Sequence, residues 1–117
     1  MNRPSHKELT GKKAHAREAV SKNAIGIVKC GAVASQALEL GYEISKIQDI
    51  LGCILKEIVP ENYSGARPPQ KSYESQIKEL ELFAFTWSSR RFGCEVYFKF
   101  ALSQGTLWVV SLHEHRE

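Results

Sequence analysis

The feature that most constrains this chain is its end: two apolar β-like runs, CEVYFKFALS and TLWVVSLHE, separated only by Gln104-Gly105. Side chains of a strand alternate between two faces, so the register of one hairpin decides which residues enter the core and which do not. A two-residue Gln104-Gly105 turn places Val96, Phe98, Phe100 and Leu102 beside Leu107, Val109, Ser111 and His113, and mixes both faces. A three-residue loop, Ser103-Gln104-Gly105, with Gly105 as the left-handed residue, shifts the pairing by one. Val96, Phe98, Phe100, Leu102, Trp108, Val110 and Leu112 then share one face, and Glu95, Tyr97, Lys99, Ser111 and His113 share the other. Burying a large apolar side chain is worth roughly 1.5–3 kcal/mol, so the segregated register is expected.

A third β-like segment, KELELFAFTWSS, precedes the hairpin and is joined to it by RRFG. The first half of the chain reads differently. GAVASQALELG, residues 31–41, carries Val33, Ala34, Ala37, Leu38 and Leu40 at helical spacing and stops on Gly41. Ile44, Ile47, Ile50, Leu51 and Ile54 continue the period in a second helix opening near Ser45. A shorter helix is expected over residues 13–23, and IGIVK, residues 25–29, reads as a small edge strand. Residues 1–12 mix basic and polar side chains and read as a flexible basic lead-in. Residues 60–76 are rich in Pro, Gly, Ser and charge and read as a long loop. Residues 13–117 thus form a single α+β domain, with N-terminal helices packed on one face of a small C-terminal antiparallel sheet.

A chain of 117 residues, 43% hydrophobic and 25% charged, suits one globular domain. It holds no apolar run long enough to span a bilayer and no secretory h-region at its start, so a cytoplasmic protein without membrane contact is expected. Cys30, Cys53 and Cys94 are odd in number and far apart, which suggests neither disulfides nor a thiolate zinc site. The net charge of +3 permits an anionic partner without demanding one.

The polar face of the hairpin offers chemistry. An imidazole exchanges protons near neutral pH, a phenol donates hydrogen bonds, and an ammonium stabilises phosphate charge. His113, Tyr97 and Lys99 are therefore candidates for metal-independent RNA cleavage, with Arg90 and Arg91 as further phosphate-binding cations. Tyr97, Trp87 and Arg91 offer planes on which unpaired bases stack. His113-x-His115 lacks an acidic or cysteine partner at ligand spacing, so neither a metal nor another cofactor is expected.

The order of helix, short strand, the helix pair in GAVASQALELGYEISKIQDILG, long loop, and the strands EVYFKFAL and LWVVSLHE resembles the motility quorum-sensing regulator (MqsR-type) toxins and related small RelE-like toxins. The resemblance implies a RelE-like fold and a cytoplasmic, metal-independent endoribonuclease of a type II toxin–antitoxin pair. Such an enzyme cuts single-stranded mRNA and is silenced by a cognate antitoxin protein. It places the family's strand tyrosine on Tyr97, the following lysine on Lys99 and the terminal basic residue on His113. The family's loop lysine has no counterpart in KEIVPENYSGARPPQKSYES, which leaves Lys56, Arg67, Lys71, Arg90 and Arg91 as candidate cations in its place. Two rival readings follow from the same residues: a non-catalytic binding module for a protein or nucleic acid, and a metal-dependent hydrolase using His113 and His115.

Overall fold

The computed structural model describes residues 3–116. Its elements run α1 (His6–Ser21), β1 (Ile25–Ile27), α2 (Cys30–Leu40), α3 (Ile47–Glu57), β2 (Phe83–Ser89), β3 (Cys94–Ser103) and β4 (Thr106–Glu114). The four strands form one sheet in the order β1-β4-β3-β2. β2, β3 and β4 are the expected antiparallel meander, and β1 is the expected short edge strand. Because β1 runs parallel to β4, the sheet is mixed rather than purely antiparallel. The α+β class stands, with helices first in the chain and the meander last.

The main core lies between the helices and one face of the sheet. Phe83, Phe85 and Trp87 of β2, Val96, Phe98 and Phe100 of β3, and Leu107, Val109 and Leu112 of β4 are buried there. They pack with Leu9, Ala16 and Val20 of α1, Val33 and Ala37 of α2, and Ile47, Ile50, Leu51, Ile54 and Leu55 of α3. The three-and-four spacing of the α3 residues is what puts five of them on one buried stripe. Gly41 ends α2 with φ of 94°, and its N–H reaches the carbonyls of Ala37 and Leu38, the geometry a helix-terminating glycine supplies.

Residues 3–12 are not a flexible lead-in. α1 begins at His6, seven residues before its expected start, and Leu9 is buried in the core. Ser5 Oγ accepts the Glu8 N–H at 3.0 Å, so the Ser-x-x-Glu pattern at residues 5–8 was the overlooked start signal. Arg3 closes the corner by pairing with Glu8 at 2.6 Å and with Glu81 at 2.8 Å. Residues 60–76 are also docked to the body: Tyr63 bridges to Phe85 and meets its ring edge-on at 5.8 Å, and Lys71 bridges to Glu81. The β2 strand correspondingly begins at Phe83 rather than at Lys78.

The hairpin solves its register by another route than a three-residue loop. Gln104 and Gly105 form the two-residue turn, with φ of 49° and 77°, both in the left-handed region of a type I′ hairpin, and Ser103 pairs with Thr106. Phe100 then pairs with Val109 but Lys99 pairs with Ser111, so Val110 is an extra residue, a β-bulge. The bulge reverses the side-chain alternation of β4 halfway along. Leu107 and Val109 before it and Leu112 after it all reach the core, and His113 falls on the opposite face beside Tyr97.

Trp108 and Val110 were expected in the main core and are not there. They lie on the far face in a smaller cluster with Val28, Ile77, Ala101, Leu80 and Leu82. The Trp108 ring crosses Gly26 so closely that a Cβ there would stand 2.4 Å from Cε3. Gly26→Ala is expected to cost about 1–3 kcal/mol by overpacking, read as a lower urea midpoint with an unchanged slope.

Candidate active site

The far face of the sheet is divided. Residues 77–82 and Trp108 cover one half, and the other half carries polar side chains from three strands. Tyr97 and His113 are direct cross-strand partners, and their rings stack at 5.2 Å between centroids with 29° between planes. In the next row along β3, Lys99 pairs with Ser111 on one side and Ala84 on the other. Thr86 lies beside Tyr97, and its hydroxyl is 2.8 Å from that of Ser64, which extends the row past the edge of β2.

The tautomer of His113 follows from its neighbour. Its Nδ1 lies 2.8 Å from the backbone carbonyl oxygen of Glu114. A carbonyl only accepts, so Nδ1 carries the hydrogen and Nε2 is left to exchange protons. Burial pushes the Tyr97 phenol up, so at neutral pH it is a hydrogen-bond donor and not a base. Lys99 is half-buried and has no carboxylate partner among the described residues. Its ammonium is therefore available to an anion.

Of the seven residues read from the sequence as a site, these three come together. Arg90 and Arg91 occupy the β2–β3 turn, beyond the end of the polar row. Arg90 lines a hollow at the edge of the sheet with Lys56, Glu57, Trp87 and Ser88, and Trp87 belongs to the helix-side core. The Arg91 guanidinium lies 5.4 Å from the Phe92 ring centroid. Arg67 donates to the Pro4 carbonyl at 3.0 Å and covers the Tyr63 ring at 4.9 Å, an anchoring role for the docked loop. Lys71 stands opposite Glu81 in the same loop. Among the described residues no three His, Cys, Asp or Glu side chains are grouped to hold a metal ion.

Two polar features of this region were not read from the sequence. Glu57, at the end of α3, accepts hydrogen bonds from Trp87 Nε1 at 2.8 Å, Ser89 Oγ at 2.7 Å and the Arg91 backbone N–H at 2.9 Å. Burial pushes its carboxyl up, but these bonds outweigh it and hold the group below the usual carboxylate range. Its partners are 30 to 34 positions away, so no local pattern announces them. On the polar face, Ser88 Oγ donates to Glu95 Oε2 at 2.7 Å, a pair that only the β2–β3 register reveals.

No family model and no curated protein matches this chain. What the protein does therefore rests on the chemistry of its own side chains. No described helix is long and apolar enough to cross a membrane.

Proposed function

We propose that the protein is the toxin of a type II toxin–antitoxin pair, a cytoplasmic endoribonuclease that cleaves single-stranded RNA without a metal. The observation that carries this reading is the Tyr97–His113 stack with Lys99 one row away, on the open half of a sheet. His113 Nε2 moves a proton to or from the reacting oxygens, the Tyr97 phenol donates to a phosphate oxygen, and Lys99 offsets the charge that grows on phosphorus. The sequence resemblance to MqsR-type toxins points the same way and adds the antitoxin protein as the expected partner.

Purified protein incubated with an unstructured RNA oligonucleotide in excess chelator is expected to yield fragments ending in 2′,3′-cyclic phosphate and 5′-hydroxyl. Its expression is expected to arrest growth until an antitoxin is supplied. RNA that stays intact, with normal growth, rejects the reading.

A second reading keeps the face and removes the catalysis: a binding module for a nucleic acid or a protein. It is favoured by the directions taken by Arg67, Arg90 and Arg91, which leave Lys99, with Arg116 tied to Glu114, as the cations near the stack. RNA bound without cleavage, with affinity falling steeply as salt rises, selects a nucleic-acid module. A salt-insensitive protein complex selects the other.

A further inference from the structure

Cleavage of RNA at the 2′-hydroxyl moves two protons, one off the attacking 2′-oxygen and one onto the leaving 5′-oxygen. The two oxygens stand on opposite sides of phosphorus. His113 has one nitrogen for this work, because its Nδ1–H is held by the Glu114 carbonyl. A second group is needed. Tyr97 keeps its proton at neutral pH, because burial pushes its phenol up, and an ammonium such as Lys99 has no lone pair to accept one. Ser64, Thr86 and Ser111 are ordinary hydroxyls.

One carboxylate stands in the same polar rows. Given the ribonuclease reading above, we infer that Glu95 is a second catalytic residue, which takes the 2′-hydroxyl proton while His113 protonates the leaving 5′-oxygen. Glu95 is two positions from Tyr97 on β3, on the same face, roughly 7 Å along the strand. Its carbonyl accepts the His115 N–H, which sets Glu95 diagonally from His113, a spacing of roughly 7–8 Å. A phosphate lying beside the Tyr97 ring then has Glu95 before it along β3, with its carboxylate drawn towards Ser88 of β2, His113 across from it on β4, and Lys99 further along β3. The Ser88 hydroxyl holds Oε2, and Oε1 has no protein partner among the described residues. The side chain is exposed and makes no ion pair among those residues.

The step balances. The Glu95 carboxylate accepts the 2′-hydroxyl proton as the 2′-oxygen bonds to phosphorus. The bond from phosphorus to the 5′-oxygen breaks, and imidazolium His113 passes its Nε2 proton to that oxygen. The products are a 2′,3′-cyclic phosphate and a 5′-hydroxyl, with Glu95 protonated and His113 neutral until water resets them. The groups facing His113 are Tyr97 and Lys99 from β3, Gln36 and Glu39 from α2, and Glu114 and Arg116 from its own strand and tail. Those facing Glu95 are Ser88 and His115. Glu114 is paired with Arg116 at 3.2 Å, and Glu39 belongs to α2 rather than to the sheet.

The test uses one RNA oligonucleotide with either an ordinary linkage or a 5′-bridging sulfur, a leaving group that needs no proton. Glu95→Gln is expected to slow both substrates by about 100-fold or more. His113→Ala is expected to slow the oxygen substrate as much but to cleave the sulfur substrate within about tenfold of wild type. Glu95→Asp regains part of the rate, and Glu18→Gln, at an exposed α1 carboxylate paired with Lys22, leaves the rate unchanged. Folded Glu95→Gln with wild-type cleavage overturns the role of Glu95 and leaves the ribonuclease reading standing. Sulfur rescue of Glu95→Gln in place of His113→Ala overturns the assignment of base and acid. Wild-type protein that cleaves neither substrate overturns the ribonuclease reading, and the role of Glu95 falls with it.

Discussion

His113→Ala is expected to lower the rate of RNA cleavage by about 100- to 10,000-fold while the protein stays folded. The imidazole is half-exposed on the far face of the sheet, so its removal opens no cavity in the main core, where Leu112 and Val96 remain packed. What disappears is the Nε2 atom that the Glu114 carbonyl leaves free. Its stacking partner Tyr97 keeps its place in the β2–β3–β4 ladder, and Lys99 still faces any bound phosphate. Binding of RNA should therefore weaken far less than turnover. Cleavage rates, RNA affinity and circular-dichroism melting on the same preparation separate these effects. A variant that cleaves as fast as wild type shows that His113 carries no proton in the reaction.

Glu57→Ala is expected to destabilise the fold by about 2–4 kcal/mol, lowering the melting midpoint by on the order of 10 °C. Trp87 and Ser89 are 6% and 4% exposed, so their donors lose a well-placed charged acceptor for which water is a poor replacement. The Arg91 N–H and with it the β2–β3 turn lose their tie to α3. Glu57→Gln keeps one carbonyl acceptor but loses the charge, and should fall between Ala and wild type. The carboxyl is held below its usual range in the fold, so the unfolded chain takes up its proton first as pH falls. Its contribution is present above the unfolded carboxylate range and is lost in acid as pH falls through the folded value. The gap between wild type and Glu57→Gln should accordingly close in acid, as measured by urea unfolding at several pH values.

The elements most readable from sequence were those with a strong local period. α3 declares itself by five apolar residues at three-and-four spacing, α2 by its stop at Gly41, and the meander by β-branched and aromatic runs. The polar face was legible for a related reason. Alternation along β3 alone puts Tyr97 and Lys99 opposite Phe98 and Phe100, whatever the strand pairs with. His113 reached that face in the expected register and reaches it in the structure, but by a bulge at Val110 and not by a longer turn. Both devices shift β4 by one residue; the bulge does so only beyond Val109, which is why Trp108 was misplaced and His113 was not.

The chain by itself thus determined its class, the helix order and the two faces of β3, because these depend on contacts a few residues apart. Tertiary structure alone decided the rest. It sent Arg67 to Pro4 and Tyr63, Arg90 to the α3 side, and Glu57 to the β2–β3 turn. Each of those side chains is long, and the partner it finds is set by which elements pack together. It also placed the bulge, since a two-residue turn and two hydrophobic faces compete along β4, and only the shapes packed against them settle where the extra residue goes.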